Sequence, residues 1–245
     1  MRSLLGRLLR AGGLAGLLAA PLPVAPSIAH ADQRPIVTVM IDPGHGGSNL
    51  GAPGHVDGVV EKKLTLAIAR LLRKRLERDG INVVTTRDTD VYLTLGERVR
   101  RANAAGADVF VSLHANATPD HRRRGFDTFV LSREVRDIEA HDAGEVAADP
   151  VEGVMARARA RFVEHESARL SQAVRGKLAQ VREGDRGSRQ APYDVLEGLK
   201  MPAALIEIGF IDHPVEGVEL LRPEVLHRIA EAIADGIEDF SAHDS

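Results

Sequence analysis

Two hydrophobic periodicities alternate along the chain. Continuous apolar and β-branched runs, which are typical of buried strands, predict strands at residues 36–41, 81–87, 108–116, 126–132 and 202–211. Apolar residues that recur every three to four positions predict amphipathic helices beginning at Glu61, at Thr94 and at Asp149, with a last helix over 223–240. Strands that alternate with helices indicate a single α/β domain with a largely parallel central sheet.

Three segments give weaker patterns. Residues 133–148 are charged and lack a clear period, so no element is assigned to them. Residues 182–192 are predicted to form a loop, and residues 193–198 a short strand or edge segment. The alternation within 126–132 places that strand nearer an edge of the sheet than the others.

The first 31 residues have the pattern of an export signal. Three arginines among the first ten residues precede an apolar segment at 11–20, and Ala-His-Ala at 29–31 matches a small-x-small cleavage site. A membrane anchor is the alternative, but the apolar segment is too short and is followed by prolines. We therefore expect a signal peptide at 1–31 and a mature chain at 32–245 without a stable membrane span. The periplasm is the expected location, with secretion or the cell wall as alternatives.

Composition narrows the possible functions. A formal net charge of −3 and an aromatic content of 3% give no broad basis for binding nucleic acid or an anionic membrane. The chain has no cysteine, so it forms no disulfides, and any metal must be held by nitrogen and oxygen. We expect a monomer.

Four residues suited to metal or acid–base chemistry are predicted to share one edge of the sheet. His45 follows the first strand in a glycine-rich loop, His114 ends the third strand, Glu207 lies in the last strand, and Glu61 opens the first helix. Ligands of open α/β sheets bind at the carboxyl ends of strands. Two imidazoles and a carboxylate are a known ligand set for catalytic zinc, and a second carboxylate could serve as a general base.

Each of these residues also has an ordinary structural explanation. A histidine after a strand is usually a satisfied polar residue, and Glu61 fits a first-turn helix acid that the helix dipole favours. Glu207 is harder to explain, because an unpaired carboxylate between Ile206 and Ile208 is costly to bury. Spacing alone leaves both interpretations open.

The mature chain resembles a known enzyme family over roughly residues 36–240. The motifs that carry the resemblance are, in order, IDPGHGGSNLGAPG, EKKLTLAIARLL, TRDTDVYLTLGERVRRANAAGADVFVSLHANA and MPAALIEIGFIDHP. They resemble the zinc-dependent N-acetylmuramoyl-L-alanine amidases, cell-wall hydrolases with an amidase type 3 catalytic domain. The resemblance implies one Zn²⁺ per chain, bound by His45, Glu61 and His114, with Glu207 as the catalytic glutamate. It also implies a twisted, mostly parallel mixed sheet of about six strands flanked by helices.

The resemblance further implies a reaction. The substrate is peptidoglycan, cut between the N-acetylmuramoyl lactyl group and L-alanine during wall remodelling and daughter-cell separation. Zinc would polarise the carbonyl and lower the pKa of a bound water, while Glu207 would move the water proton to the leaving amine. Asn116 and Arg98 match family positions, although a structural role is the favoured explanation for both. Gln190 and Ala191 are expected to border the substrate groove.

Two departures from the family pattern raise further hypotheses. Asp212-His213 replaces a small polar residue and asparagine, and His213 is either an extra ligand or, more simply, a surface histidine. Residues 133–165 suggest a regulatory insertion that blocks the zinc site until a protein activator displaces it, with a solvated charged face as the alternative. The candidate blocking ligands are Glu139, His141, Asp142, Glu145, Glu164 and Glu166.

Two other functions compete with the amidase. One is a wall-binding or regulatory protein that retains the fold without catalysis, which the four intact chemical positions argue against. The other is a zinc peptidase that cuts within stem peptides.

Overall fold

Six strands form one mixed sheet in the part of the chain that the structure describes. This structure is a computed structural model that describes residue 36, residues 38–145 and residues 149–242; the signal peptide predicted at 1–31 lies outside the described residues. The strands follow the order β2-β1-β3-β6-β4-β5 across the sheet. Their bounds are β1 Thr38–Pro43, β2 Asn82–Thr85, β3 Val109–Asn116, β4 Phe126–Leu131, β5 Asp185–Ala191 and β6 Ala203–Phe210.

Helices pack on both faces of this sheet. Their bounds are α1 Glu61–Arg78, α2 Leu95–Ala105, α3 Arg133–Glu145, α4 Pro150–Val181, α5 Glu216–Glu219 and α6 Pro223–Ala242. Side-chain oxygens cap two of them, since Thr94 accepts a hydrogen bond from the Glu97 amide of α2 and Asp149 accepts one from the Glu152 amide of α4. Among the described residues, no helix is both long and apolar enough to cross a membrane.

Two apolar clusters form the core, one on each face of the sheet. Alternate residues of β1 separate them, because Val39 and Ile41 join the cluster under α1, α4 and α6, whereas Met40 joins the cluster under α2. Strands β2, β1, β3 and β6 run parallel, β4 runs antiparallel to β6, and β5 runs parallel to β4. The predicted α/β domain with a mostly parallel mixed sheet of six strands is confirmed.

Three segments differ from the sequence-based expectations. Residues 182–192 were expected to form a loop, but β5 lies there as an edge strand whose backbone pairs with β4. Residues 193–198 do not form a strand; they continue from β5 as turns. The unassigned segment after 132 forms α3. Its apolar stripe is weak, since Arg136 is the buried residue of that helix.

This topology assembles one functional edge. The carboxyl ends of the parallel strands β1, β3 and β6 meet there, and the reversed strand β4 begins at the same edge. The loop after β1 brings the start of α1 to this edge, because the Glu61 amide donates to the Ala52 carbonyl at 2.9 Å.

Candidate metal centre

A single carboxylate joins the two predicted histidine ligands. Glu61 Oε2 lies 2.9 Å from His45 Nε2, and Glu61 Oε1 lies 3.0 Å from His114 Nδ1. The backbone amides of Ala52 and Ala115 donate to the same carboxylate at 2.9 and 3.0 Å. The structure therefore brings Glu61 together with His45 and with His114, which is 53 positions away from Glu61 in the sequence.

These three side chains fit a metal ion. One potential ligand atom from each of His45, Glu61 and His114 lies within 4.8 Å of the others. The remaining ring nitrogen of His45 is 3.0 Å from Asn49 Oδ1, so Nε2 is the nitrogen that faces Glu61. A neighbour that holds the second ring nitrogen is typical of metal-binding histidines. Nitrogen and oxygen donors in this combination suit zinc.

Glycines provide the space for this cluster. A Cβ atom at residue 44 would lie 2.3 Å from His114 Cε1, and one at residue 51 would lie 2.6 Å from Glu61 Oε2. Gly51 also has a φ of +69°, which side chains rarely adopt. Glycine is thus required at both positions for the ligand atoms to approach one another.

Charged side chains shape the loop that carries His45, whose own φ is +62°. Arg98 donates to the carbonyls of Pro43 and His45, at 2.9 and 2.6 Å, and Arg87 donates to the carbonyls of Pro43 and Gly44, at 2.9 and 2.7 Å. Both arginines are buried, so these hydrogen bonds hold the loop backbone from inside the scaffold.

Asp42, at the end of β1, balances part of this buried positive charge. Its carboxylate accepts hydrogen bonds from Arg98 Nη1 at 2.7 Å, Ser112 Oγ at 2.8 Å and Thr86 Oγ1 at 2.5 Å. Buried carboxylates are tolerated when they are paired and hydrogen-bonded in this way.

Hydrogen bonds and neighbouring charges together shift the pKa values of Glu61 and His45 more than burial does. Burial acts to raise the pKa of the Glu61 carboxyl, but its hydrogen bonds to His114 and His45 hold that pKa well below the usual value. Burial likewise acts to lower the pKa of His45, and the bond to Glu61 leaves it raised. Glu61 is therefore an anion, the form in which a carboxylate binds a metal.

Glu207 has the opposite environment. Its Cα pairs with that of His114 across β6 and β3, and its side chain is buried. Among the described residues, its Oε2 has no hydrogen-bond partner. Burial raises the pKa of the Glu207 carboxyl well above the usual value, and the negative charges of Glu61 and Asp127 raise it further.

A cleft of about 390 Å³ opens beside His45, His114 and Glu207. Its polar lining includes His45, Arg98, His114, Tyr193 and Glu207. A perturbed acid beside a possible metal site in an open cleft is the arrangement expected of a hydrolytic active site.

Comparisons with known proteins identify the family of this chain. Residues 39–239 match the family model described as N-acetylmuramoyl-L-alanine amidase. The chain belongs to this amidase family. It is 32% identical to the N-acetylmuramoyl-L-alanine amidase AmiC of Escherichia coli O6:H1 over 226 residues, which cover 86% of this chain and 54% of that protein. The chain thus spans about half the length of the AmiC proteins that it matches.

Solved structures of amidases share the fold. An N-acetylmuramoyl-L-alanine amidase from Clostridium difficile superposes with a TM-score of 0.69 and 30% identity, over 84% of this chain and 97% of that one. The CwlD amidase from Clostridioides difficile, solved in complex with the GerS lipoprotein, gives a TM-score of 0.68 and 25% identity, over 83% and 97% of the two chains.

The residues predicted to bind substrate in this amidase-family chain differ in their position relative to the cleft. Arg98 lines the cleft, but it is committed to Asp42 and the loop carbonyls. The side chain of Asn116 accepts from the amide of Ala117, and its carbonyl accepts from Ile211. Gln190 accepts from the Arg133 amide, and neither it nor Ala191 is among the cleft-lining residues. Their substrate roles stay predictions.

His213 does not join the metal cluster among the described residues. Its Nδ1 accepts hydrogen bonds from the amides of Val215 and Glu216, at 3.2 and 3.1 Å, at the start of α5. Asp212 is buried and accepts from Thr118 N at 2.9 Å and from His121 at 2.8 Å. The structure therefore places the two residues of this family departure in loop contacts.

The described residues of the predicted blocking segment are not among those that line the cleft. Its described residues form α3 and the beginning of α4, and none of them lines the cleft or joins the metal cluster. Glu139 accepts from the Gly198 amide, Glu164 pairs with Arg133, and Glu166 pairs with Arg169. Among the described residues, this arrangement gives no support to a blocking ligand.

Three residues near the site were missed by the sequence analysis. Arg87 shapes the loop from a position just after β2, Tyr193 lines the cleft, and the buried Asp127 lies opposite Glu207. Asp127 carried a usable signal, since it is an acid inside the apolar run 126–132, as Glu207 is inside 202–211. No comparable signal marked Arg87 or Tyr193.

Proposed function

We propose that this protein is a zinc-dependent N-acetylmuramoyl-L-alanine amidase. It cleaves the amide that joins the lactyl group of N-acetylmuramic acid to L-alanine of the peptidoglycan stem peptide. The observation that carries the proposal is the His45-Glu61-His114 cluster, whose two histidines line the same open cleft as the buried Glu207 with its raised pKa. Family membership supports this substrate.

His45, Glu61 and His114 are the residues that would hold the zinc ion. A bound zinc ion supplies Lewis acidity, which polarises a carbonyl and lowers the pKa of water. Asn49 orients His45 through the ring nitrogen that faces away from Glu61. The Ala52 and Ala115 amides fix both oxygens of Glu61, so that its carboxylate cannot rotate away from the histidines.

Glu207 is the proposed proton carrier. Burial and the neighbouring negative charges raise the pKa of Glu207, so its ionised form would be a stronger base toward the attacking water. The carboxyl formed in this way would then donate that proton to the leaving amine of L-alanine. Its location opposite His114 puts this function beside the ligand cluster.

Digestion of purified peptidoglycan tests the activity. We expect the wild-type protein to release glycan strands and to create new amino termini that are all L-alanine, identified by amino-group labelling and mass spectrometry. New amino termini inside the stem would indicate a peptidase instead. The absence of new termini, together with a purified protein that binds no zinc, would indicate an inactive wall-binding protein.

We also propose that the protein is exported and acts in wall remodelling and daughter-cell separation. The basis is the signal-peptide pattern at 1–31, together with a substrate that lies outside the cell membrane. An activator protein is a further hypothesis, for which the lipoprotein complex of the CwlD amidase is the available precedent.

A further inference from the structure

A row of functional side chains crosses the sheet beside the proposed active site. His114, Glu207 and Asp127 are in-register neighbours on β3, β6 and β4. Strand β5 continues the sheet beyond β4. It contributes two arginines, Arg186 and Arg189, to the buried Asp127.

The two arginines contact Asp127 in different ways. Arg186 Nε donates to Asp127 Oδ2 at 3.0 Å, and its guanidinium lies 5.3 Å from the centre of the Phe210 ring, so it is held on two sides. Arg189 Nη2 lies 3.2 Å from Asp127 Oδ1, yet among the described residues that oxygen has no hydrogen-bond partner. Arg186 therefore neutralises Asp127, and Arg189 is a loosely paired second cation.

Arg189 keeps donors available for a ligand. Its side chain is 45% exposed, and its Nη2 donates to the Arg186 carbonyl at 3.1 Å. Both of these contacts of Arg189 with described residues are made through Nη2. Two arginines around one carboxylate leave a net positive charge, and a guanidinium with free donors binds carboxylates in a bidentate manner.

Arg189 is also close to the wall of the cleft. Tyr193 lines the cleft, and burial and the charges of Glu207 and Asp127 raise the pKa of its phenol, while the charge of Arg189 opposes that change. Neighbouring strands lie about 4.8 Å apart, so β5 is roughly 10 Å from Glu207 on β6. An extended peptide covers that distance in about three residues.

We propose that Arg189 binds a carboxylate of the stem peptide, within about three residues of the scissile bond. This proposal rests on the amidase function. Arg186 supports the subsite as a positioning residue, because it keeps Asp127 neutralised when Arg189 turns to the ligand. Stem peptides with free carboxylates are then better substrates than stem peptides whose carboxylates are amidated.

Matched substrates test this subsite. They are two N-acetylmuramoyl tripeptides that begin with L-alanine, one with every carboxylate free and one with every carboxylate amidated. We expect wild-type kcat/KM to be about ten- to a hundredfold higher for the free acid, as for one charged hydrogen-bonded pair. Arg189→Gln should bring this ratio close to one, mainly through a higher KM for the free acid, and Arg189→Lys should retain part of it.

The control is Arg73→Gln, which removes an equally exposed arginine that pairs with Glu77 on α1; it should keep the wild-type ratio. A wild-type ratio near one, or a preference that survives Arg189→Gln, overturns the subsite while leaving the amidase function intact. Should Arg189→Gln not fold, an unchanged ratio in Arg189→Lys has the same meaning. A wild-type enzyme that cleaves neither substrate contradicts the amidase function itself.

Discussion

The surroundings of Glu61 and Glu207 differ although both buried carboxylates belong to the same edge of the sheet. Glu61 is saturated with donors, two from imidazoles and two from backbone amides. Glu207 lies in an apolar strand, has an oxygen without a hydrogen-bond partner, and has Asp127 opposite it. The first environment stabilises an anion and the second a neutral acid.

This difference shows how one fold can suit two carboxyl groups to different roles, cation binding and proton transfer. A carboxylate that stays ionised is suited to hold a cation, whereas one with a raised pKa is suited to accept a proton and pass it on. The backbone creates the contrast, since Glu61 begins a helix near free amides and Glu207 occupies a strand whose amides already pair with β3 and β4.

Of the two carboxylates, Glu61 should have the larger effect on zinc content and stability when it is removed. Glu61→Ala takes away a proposed ligand and leaves the Ala52 and Ala115 amides without their acceptor, so we expect loss of zinc and at least about a hundredfold lower turnover. The unpaired amides should also lower the free energy of unfolding by about 2 kcal/mol or more. Metal analysis and denaturant unfolding measure both effects, with Glu77→Ala on the same helix as control. Full zinc content in Glu61→Ala would refute its role as a ligand.

Replacing Glu207 should separate turnover from metal binding. Glu207→Gln preserves shape but cannot carry a proton, so we expect about a hundred- to ten-thousandfold loss of kcat. Zinc content should stay at the wild-type level. The free energy of unfolding should not fall, because a neutral amide avoids the cost of burying a charge. Near-normal kcat would remove Glu207 from proton transfer, and loss of zinc would instead make it a ligand.

The smallest expected effect is a pH dependence of stability in the metal-free protein. The folded-state pKa of Glu207 is raised above the usual 4.5, so between these values the folded protein holds a proton that the unfolded chain has lost. Unfolding then releases a proton, and this contribution to stability falls as pH rises from about 4.5, by at most about 1.4 kcal/mol per pH unit.

Glu61, with its lowered pKa, has the opposite sign, since its contribution is present above pH 4.5 and is lost as pH falls below it. Glu207→Gln should remove only the first trend. Denaturant unfolding with a chelator from pH 4.5 to 7 therefore should show a stability difference between Glu207→Gln and wild type that grows with pH. A constant difference over this range would contradict the raised pKa of Glu207.

Much of the fold could be predicted because its elements carry strong patterns. The continuous apolar run of β6 and the stripe on α1 each report burial directly. Strand β5 could not be predicted in this way, because an edge strand needs only the backbone of one neighbour, and its sequence DRGSRQA is polar and contains glycine. The weakly amphipathic α3 was missed for a similar reason.

The residues of the candidate site also differ in whether the sequence pattern could predict them. His45, His114 and Glu207 stand at strand ends or inside apolar runs, where a polar residue is conspicuous. Arg189 sits among other polar residues of β5, and only the three-dimensional pairing with Asp127 distinguishes it. Side chains that act through tertiary electrostatics leave little trace in a one-dimensional pattern.

The hydrogen bonds from Arg87 and Arg98 to the loop at residues 43–45 have a consequence for the affinity of the candidate metal site. Because Arg87 and Arg98 hold the loop carbonyls from elements outside the loop, the conformational entropy of placing His45 is lost when the chain folds and not when the ion arrives. With the loop already ordered, the free energy of ion binding would not be reduced by the cost of ordering it. A candidate site prepared in this way would bind its ion without first ordering the loop.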